Sequence, residues 1–218
     1  MKRRRIHIAV VGNGPVDPAV CFDIDAHHLV VRFNSCQNYG SSGWRTDILV
    51  IVNTGPQGQR LAYEPGAING EALVSAKEFW FPYSQDLIDT VMLDSREPLL
   101  WSNFTPYIVA QRLEGRPSKT FSTTEYWASR RLLMDLGAGT EHRASTGMQT
   151  LFHIRENYQP CRVTLYGFSH TGWDGHPWNA ERALVDEWGT WIKRGKPHRP
   201  FKRFRNYAIV KASNLLRL

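Results

Sequence analysis

The sequence predicts an α/β fold in which a mostly parallel β-sheet is flanked by helices. Short runs of β-branched residues alternate with longer stretches that have the spacing of amphipathic helices. This alternation is typical of a parallel sheet that is covered on both faces. The overall composition, with 42% hydrophobic and 22% charged residues, is that of an ordinary globular chain.

The elements follow from these patterns in chain order. The run at 6–11 is apolar and β-branched and ends at Gly12, Asn13 and Gly14, which predicts a buried strand entering a tight turn. Similar runs predict further strands at 28–33, 47–52, 78–83 and 162–168. Helical spacing predicts helices at 105–113, 123–136, 146–156 and 180–191. Glycine, proline and polar residues predict loops at 55–70 and 93–103, which would border a cleft. The segment 194–200 is predicted to be a linker to a final stretch at 207–216, for which the sequence does not decide between helix and strand.

The chain has 218 residues, enough for one sizeable core, so we expect a single domain spanning 1–218. No apolar run approaches the roughly 20 residues of a membrane span, and the one that follows the basic start is too short for a signal peptide. Three widely spaced cysteines favour reduced thiols over a disulfide framework or a zinc site. These features predict a cytoplasmic protein.

The net charge of +7 suggests an acidic partner. Basic residues concentrate near the end of the chain between tryptophan and phenylalanine side chains, namely Lys193, Arg194, Lys196, Arg199, Lys202, Arg203 and Arg205. This cluster favours peripheral contact with anionic lipid at the inner membrane face or with an acidic glycan, while nucleic acid is the less favoured partner. A solvated basic surface without a partner is the alternative.

Two groups of candidate site residues follow predicted strands. Gly12, Asn13 and Gly14 end the first strand, and their small size lets the backbone approach a ligand closely. Arg32 and Asn34 end the second strand and supply a cation and an amide to the same sheet edge. Ligands of open parallel sheets gather at this edge. A plain turn explains either group equally well.

A third candidate precedes the predicted helix at 146–156. Ser145, Thr146 and Gly147 place two hydroxyl groups and free N–H groups at a helix start, which favours binding of a phosphate or carboxylate. A simple helix cap is the alternative.

The fourth candidate lies after the strand at 162–168. His170 and His176 follow the strand end among glycines and tryptophans, where they are suited to proton transfer or to pairing with an anion. Glu181 is placed to orient them. Zinc is disfavoured because no further cysteine or histidine has finger-like spacing.

Taken together and in this order, the four candidates resemble the motifs of the sialyltransferase family of glycosyltransferases. The segments 9–14, 24–25, 30–34 and 43–47 resemble its long motif, and the segments 145–148 and 163–168 resemble its short motif. His170 or His176 resembles the histidine of the third motif, and His176 with Glu181 has the spacing of the very short motif.

The resemblance implies a Rossmann-like variant of the nucleotide-sugar transferase fold, a cytidine monophosphate (CMP) sugar donor, and inversion at the anomeric carbon without metal or cofactor. It places Asn13 and Asn34 on the phosphate and ribose of the donor. It also places Ser145, Thr146 and Gly147 on the nucleotide and the sugar carboxylate.

On this basis the sequence predicts an enzyme of lipopolysaccharide biosynthesis that transfers Kdo or sialic acid from its CMP donor to a glycan or anionic glycolipid acceptor. His176 is the expected base, held by Glu181, and His170 the expected partner of the leaving phosphate, with the two histidines exchangeable. Two alternatives stay open: a non-catalytic accessory protein that keeps the nucleotide pocket, and a Rossmann-like methyltransferase in which the turn at Gly12 holds another cofactor.

Overall fold

A computed structural model describes residues 5–92 and 98–195. Its centre is one sheet of seven strands in the order β5-β4-β3-β2-β1-β6-β7, and all neighbouring strands are parallel. The strands are β1 (Ile6–Val11), β2 (Leu29–Phe33), β3 (Ile48–Val50), β4 (Glu78–Phe81), β5 (Ser118–Thr120), β6 (Cys161–Tyr166) and β7 (Ile192–Arg194). The predicted α/β fold with a parallel, Rossmann-like sheet is therefore confirmed.

The central strand β1 is buried on both faces. Side chains alternate between the faces of a strand, so Ile8 and Val10 point into one core and Ala9 and Val11 into the other. Strand β1 pairs with β2 on one side and β6 on the other, with Val10 opposite both Val31 and Leu165. Burial on both faces explains the uninterrupted apolar run in the sequence.

Helices follow most strands and cover the sheet. They are α1 (Cys21–Asp25), α2 (Gly55–Tyr63), α3 (Gly70–Ser75), α4 (Gln85–Met92), α5 (Pro98–Trp101), α6 (Thr105–Ile108), α7 (Thr123–Asp135), α8 (Thr146–Asn157) and α9 (Trp178–Glu187). A 3₁₀ turn at Pro18–Val20 precedes α1, and a π-helical turn at Val109–Leu113 extends α6. The four predicted helices correspond to α6 with its extension, α7, α8 and α9.

The prediction of a loop at 55–70 is wrong, because α2 and the start of α3 lie there. Pro56 occupies the first turn of α2, where its missing N–H costs nothing. Leu61 and Ala62 pack in the same core cluster as Phe104 and Ile108. Helix α5 likewise occupies part of the predicted loop at 93–103. The elements α1, α3, α4, β5 and β7 were not predicted.

The chain order creates a crevice beside β1. From β1 the chain adds β2, β3, β4 and β5 in one direction and then returns to place β6 and β7 on the other side. Loops that leave neighbouring strands in opposite directions open a gap at the carboxyl ends of those strands, and ligands of open α/β sheets bind in such gaps. Here the gap lies between β1 and β6.

Within residues 5–92 and 98–195, no helix is long and apolar enough to cross a membrane. Lys193 and Arg194 lie on β7 with exposed side chains, and Arg194 forms an ion pair with Asp186 at 3.3 Å. The rest of the predicted basic cluster, Lys196, Arg199, Lys202, Arg203 and Arg205, and the stretch 207–216 lie outside the described residues. The predicted single domain spanning 1–218 stays a prediction.

Candidate functional site

A cleft of about 330 Å³ opens at the crevice between β1 and β6. Its walls come from the turn after β1, the end of β2, the start of α8, and the segment between β6 and α9. Ten of the eleven predicted site residues line it: Gly12, Asn13, Gly14, Asn34, Ser145, Thr146, Gly147, His170, His176 and Glu181. Segments remote in sequence therefore meet at one place.

The glycines after β1 serve a structural purpose. The N–H of Gly12 donates to the carbonyl of Tyr166, and the N–H of Gly14 donates to that of Gly167 at 3.0 Å. A Cβ atom on either glycine would lie 2.6 Å from the Gly167 oxygen. The glycines thus let the two loops approach each other, and the predicted close approach of their backbone to a ligand stays a prediction.

Two asparagines brace the cleft wall. The Asn13 side chain donates to the carbonyl of Phe33 and accepts from the N–H of Gln37. Asn34 has a positive φ of 51°, a conformation that asparagine tolerates better than most residues, and its Oδ1 accepts from the N–H of Val52. Both amides therefore tie the turns after the strands to one another while lining the cleft.

Arg32 does not line the cleft, so its predicted role as a cation for the ligand is wrong. Its guanidinium donates to the Ser42 hydroxyl and to the carbonyls of Ser42, Gly43 and Arg45, and the residue is only 1% exposed. Side chains alternate along a strand, so β2 directs Arg32 and Phe33 to opposite faces of the sheet. Arg32 anchors the segment between β2 and β3.

The start of α8 contains an ion-dipole arrangement. The Ser145 side chain caps the helix by accepting from the N–H of Met148. Ser145 in turn donates its N–H and its hydroxyl to the two carboxylate oxygens of Glu181, at 2.6 and 2.8 Å. The predicted pairing of Glu181 with His176 is wrong: this carboxyl bonds to Ser145, and His176 Nδ1 bonds to the carbonyl of Arg143 instead.

Burial raises the pKa of Glu181 to about 7, although the hydrogen bonds from Ser145 favour the charged form. The residue is 2% exposed.

Thr146 and Gly147 also line the cleft, and their N–H groups form no hydrogen bond within the described part of the chain. These two donors are available to a ligand.

The two histidines differ in their surroundings. His176 Nδ1 lies 2.8 Å from the carbonyl of Arg143, so this nitrogen carries a proton and donates it. Burial lowers the pKa of His176 below its usual value, which favours the neutral ring with a free lone pair on Nε2. His176 packs edge-to-face between Trp173 and Trp178.

His170 is strained and unsatisfied. Its φ is 50°, it is 5% exposed, and its Nε2 has no hydrogen-bond partner. Burial lowers its pKa to about 4, helped by the positive charges of Arg194 and Arg182. His170 is therefore neutral at pH 7, and it offers a hydrogen bond rather than a positive charge. A buried polar atom without a partner, on strained backbone beside a cleft, is typical of a ligand contact.

Several residues of the cleft were missed by the prediction. Gln57 of α2 reaches it, and Phe168 packs edge-to-face on Phe33 to form a wall. Trp173 lies at the cleft with 52% of its surface exposed. Proline at 56 marked the start of α2 and was the sequence signal that could have revealed Gln57.

The cleft holds little positive charge. Among the described residues that line it, none is a lysine or an arginine, and Glu181 is its one side chain with a full negative charge when ionised. An anionic ligand would therefore depend on the N-terminus of α8 and on neutral hydrogen-bond donors.

The fold and site together define an α/β protein with a cleft at the switch point of a parallel sheet. Two crystal structures of a mammalian sialyltransferase, one of them in complex with Gal-beta-1-3GalNAc-ortho-nitrophenol, are similar to this chain, with TM-scores of 0.54 and 0.52. Each shares 16% sequence identity, over 89% of this chain and 70% of the other. At this identity the similarity shows the fold alone, so a sialyltransferase-like fold is confirmed.

In sequence, the chain is similar to the urease operon 23 kDa accessory protein of Rhizobium meliloti (strain 1021). The two are 29% identical over 187 residues, which cover 82% of this chain and 87% of the relative. No family model matches the chain.

This relative contradicts the predicted enzyme. A relative that aligns over most of both chains is an accessory protein, so the prediction of a CMP-sugar-dependent glycosyltransferase that transfers Kdo or sialic acid is wrong. The resemblance of the motifs was correct for the fold, and it misled for the activity because a fold does not determine a function.

Proposed function

We propose that the protein is a non-catalytic accessory protein that binds a nucleotide in the cleft between β1 and β6. The observation that carries this proposal is the convergence of the Gly12 turn, Asn34, the start of α8 and both histidines on one cleft. The relative's role as an accessory protein supports the non-catalytic part.

CMP and its sugar esters are the nucleotides to test first, because the residues of the cleft match the motifs that resemble those of CMP-sugar-binding proteins. The phosphate would lie at the free N–H groups of Thr146 and Gly147, where the positive end of the helix dipole favours a negative charge. The proposal includes no metal, since the cleft offers one carboxylate and two imidazoles and the carboxylate is bonded to Ser145.

Isothermal titration with CMP, CMP-sialic acid, CMP-Kdo, UMP, AMP and S-adenosylmethionine tests the binding. We expect cytidylates to bind, and replacement of Trp173 by alanine to weaken that binding by about fivefold or more through lost contact area. Trp127→Ala is the matched control, because Trp127 is a similarly exposed tryptophan on α7 and does not line the cleft.

Product analysis of the same mixtures tests the absence of catalysis. We expect no release of CMP from either CMP-sugar, with or without added glycan. Steady release of CMP would contradict the accessory role, and binding of S-adenosylmethionine without binding of any cytidylate would contradict the proposed ligand.

The accessory role itself is proposed by analogy with the relative, whose name connects it with a urease operon. In a host that carries a urease operon together with the gene for this chain, deletion of the gene should lower the urease activity of cell extracts. Wild-type protein should restore it and Trp173→Ala should restore less. Unchanged urease activity after deletion would contradict this role.

A further inference from the structure

The N-terminus of α8 already holds a negative group of the protein itself. Helix α8 has 12 residues and is capped by Ser145. The carboxylate of Glu181 accepts hydrogen bonds from both the N–H and the hydroxyl of Ser145. An external anion at the N–H groups of Thr146 and Gly147 would therefore lie at the same helix end as Glu181. Two negative charges at one helix end repel each other, and the repulsion is stronger because one of them, Glu181, is buried.

The surroundings of Glu181 offer little compensation. The residue is 2% exposed, and no lysine or arginine of the described chain lines the cleft. The titratable groups around it are Tyr83, on the loop after β4, and the two cleft histidines, His170 and His176. Arg143 precedes Ser145 closely, but its guanidinium stacks between Trp101 and Trp173.

We propose that Glu181 is a specificity-determining residue: as an internal anion at the start of α8, it restricts the cleft to ligands with a single phosphate group. This inference rests on the proposed nucleotide binding. A ligand with one phosphate is accommodated when Glu181 takes up a proton, which removes the repulsion while the protonated carboxyl can still accept from the Ser145 N–H. A second phosphate would add negative charge for which the cleft has no cation.

Burial already brings Glu181 close to protonation, since its pKa is raised to about 7. A nearby phosphate raises the pKa of a carboxyl further, so binding at pH 8 should be accompanied by proton uptake. The affinity for a phosphate ligand should therefore rise as the pH falls from 8 to 6. His170 has a pKa of about 4 and contributes little to this change. Among the described residues that line the cleft, His176 is the other group able to take up the proton, and the phosphate of the ligand, with a second pKa of about 6, is a further acceptor.

Titration of the wild-type protein with cytidine, CMP, CDP and CTP tests the charge limit. We expect CMP to bind at least tenfold more tightly than CDP or CTP at pH 8. Calorimetry of CMP binding in two buffers of different ionisation enthalpy should show uptake of a substantial fraction of one proton. Equal or tighter binding of CDP, or binding of CMP without proton uptake, would overturn the inference while leaving nucleotide binding intact.

Glu181→Gln tests the residue directly, because the amide can keep hydrogen bonds to Ser145 without the charge. We expect it to bind CDP about tenfold and CMP about threefold more tightly than wild type at pH 8, so that the preference for CMP over CDP shrinks, to bind cytidine equally well, and to lose the proton uptake. Persistent uptake in this variant would assign the proton to His176 or to the phosphate of the ligand and overturn the inference.

Glu125→Gln is the matched control. Glu125 also lies at a helix start, in the capping box of α7, and is remote from the cleft. It should leave the binding of all four ligands unchanged. If neither wild type nor Glu181→Gln binds any of the four ligands, the proposed function fails as well, which is distinct from the outcomes above.

Discussion

At the scale of single residues, burial determines what the polar side chains of the cleft can do. His170 and His176 are kept neutral, and Glu181 is brought close to neutrality, because burial disfavours the charged form of each side chain. Arg32 is equally buried but bonds to four acceptors of the segment between β2 and β3, so it stabilises the fold. Buried polar side chains thus differ in role: those of the cleft remain open to a ligand, and that of Arg32 is used by the fold.

Replacement of Glu181 by glutamine should change the pH dependence of stability. The pKa of Glu181 is raised in the folded protein, so its stabilising contribution is complete below pH 4.5 and is lost as the pH rises through 7. Glu181→Gln should therefore be more stable than wild type by about 2 kcal/mol at pH 8, with a smaller difference at pH 5. Urea unfolding at both pH values measures this, and an equal difference at the two would contradict it.

Replacement of Arg32 by lysine should lower the free energy of unfolding by about 3 kcal/mol, because an ammonium group cannot satisfy the acceptors that the guanidinium holds. Urea unfolding measures the loss. Arg60→Lys is the control, since Arg60 is exposed on α2, and it should be close to neutral. A small effect of Arg32→Lys would show that the segment between β2 and β3 does not depend on this anchor.

At the scale of elements, the cleft depends on the close approach of the turns after β1 and β6. Gly12 and Gly14 donate to carbonyls of the other turn, and Gly167 has a positive φ of 65°. The glycines that a sequence reading assigns to a ligand therefore first bring two strand ends together. Any ligand between β1 and β6 binds to a frame that these contacts hold in place.

Gly14→Ala should destabilise the protein by about 2–3 kcal/mol and weaken nucleotide binding, because its Cβ would lie 2.6 Å from a backbone oxygen that cannot move independently. Thermal unfolding and titration with CMP measure both effects. Gly70→Ala is the matched control: Gly70 begins α3, and a Cβ there meets nothing within 4 Å. It should be neutral or stabilise by up to about 1 kcal/mol. Similar losses in both variants would contradict the argument.

At the scale of the whole molecule, the order of the strands creates the site. Strand β1 lies between β2 and β6, and the chain leaves it in one direction and returns on the other side. The cleft lies at that reversal, as expected for open α/β sheets. The predicted contact of the basic cluster with anionic lipid stays a prediction, because most of the cluster lies outside the described residues.

All three cysteines, Cys21, Cys36 and Cys161, are buried and free. Their reaction with a thiol reagent should therefore require opening of the fold. We expect almost no reaction of the native protein with Ellman's reagent over minutes and three thiols per chain in denaturant. Rapid reaction of one thiol in the native protein would show that its strand or helix opens more easily than the core around it.

The sequence by itself determined the class of fold and most of the central elements. Strand and helix periods are local properties, so the apolar run of β1 and the spacing of α7 and α8 could be identified from neighbouring residues alone. Short edge strands such as β5 and β7 carry too few residues for a period to emerge, and α2 lay within a segment rich in glycine and polar residues. Ten of the eleven candidate site residues line one cleft, because helix starts and strand ends have distinctive residue types, and their binding roles stay predictions.

Only the tertiary structure decided which partner each of these residues has. Glu181 bonds to Ser145 rather than to His176, Arg32 turns away from the cleft, Gly12 donates to the last residue of β6, and Gly14 donates to the residue after it. These contacts join residues far apart in the chain, and no local pattern encodes the direction of a side chain across a folded sheet. The charge of the cleft follows from such directions, and it depends on a carboxylate at a helix end and on the absence of lysine and arginine from the described lining.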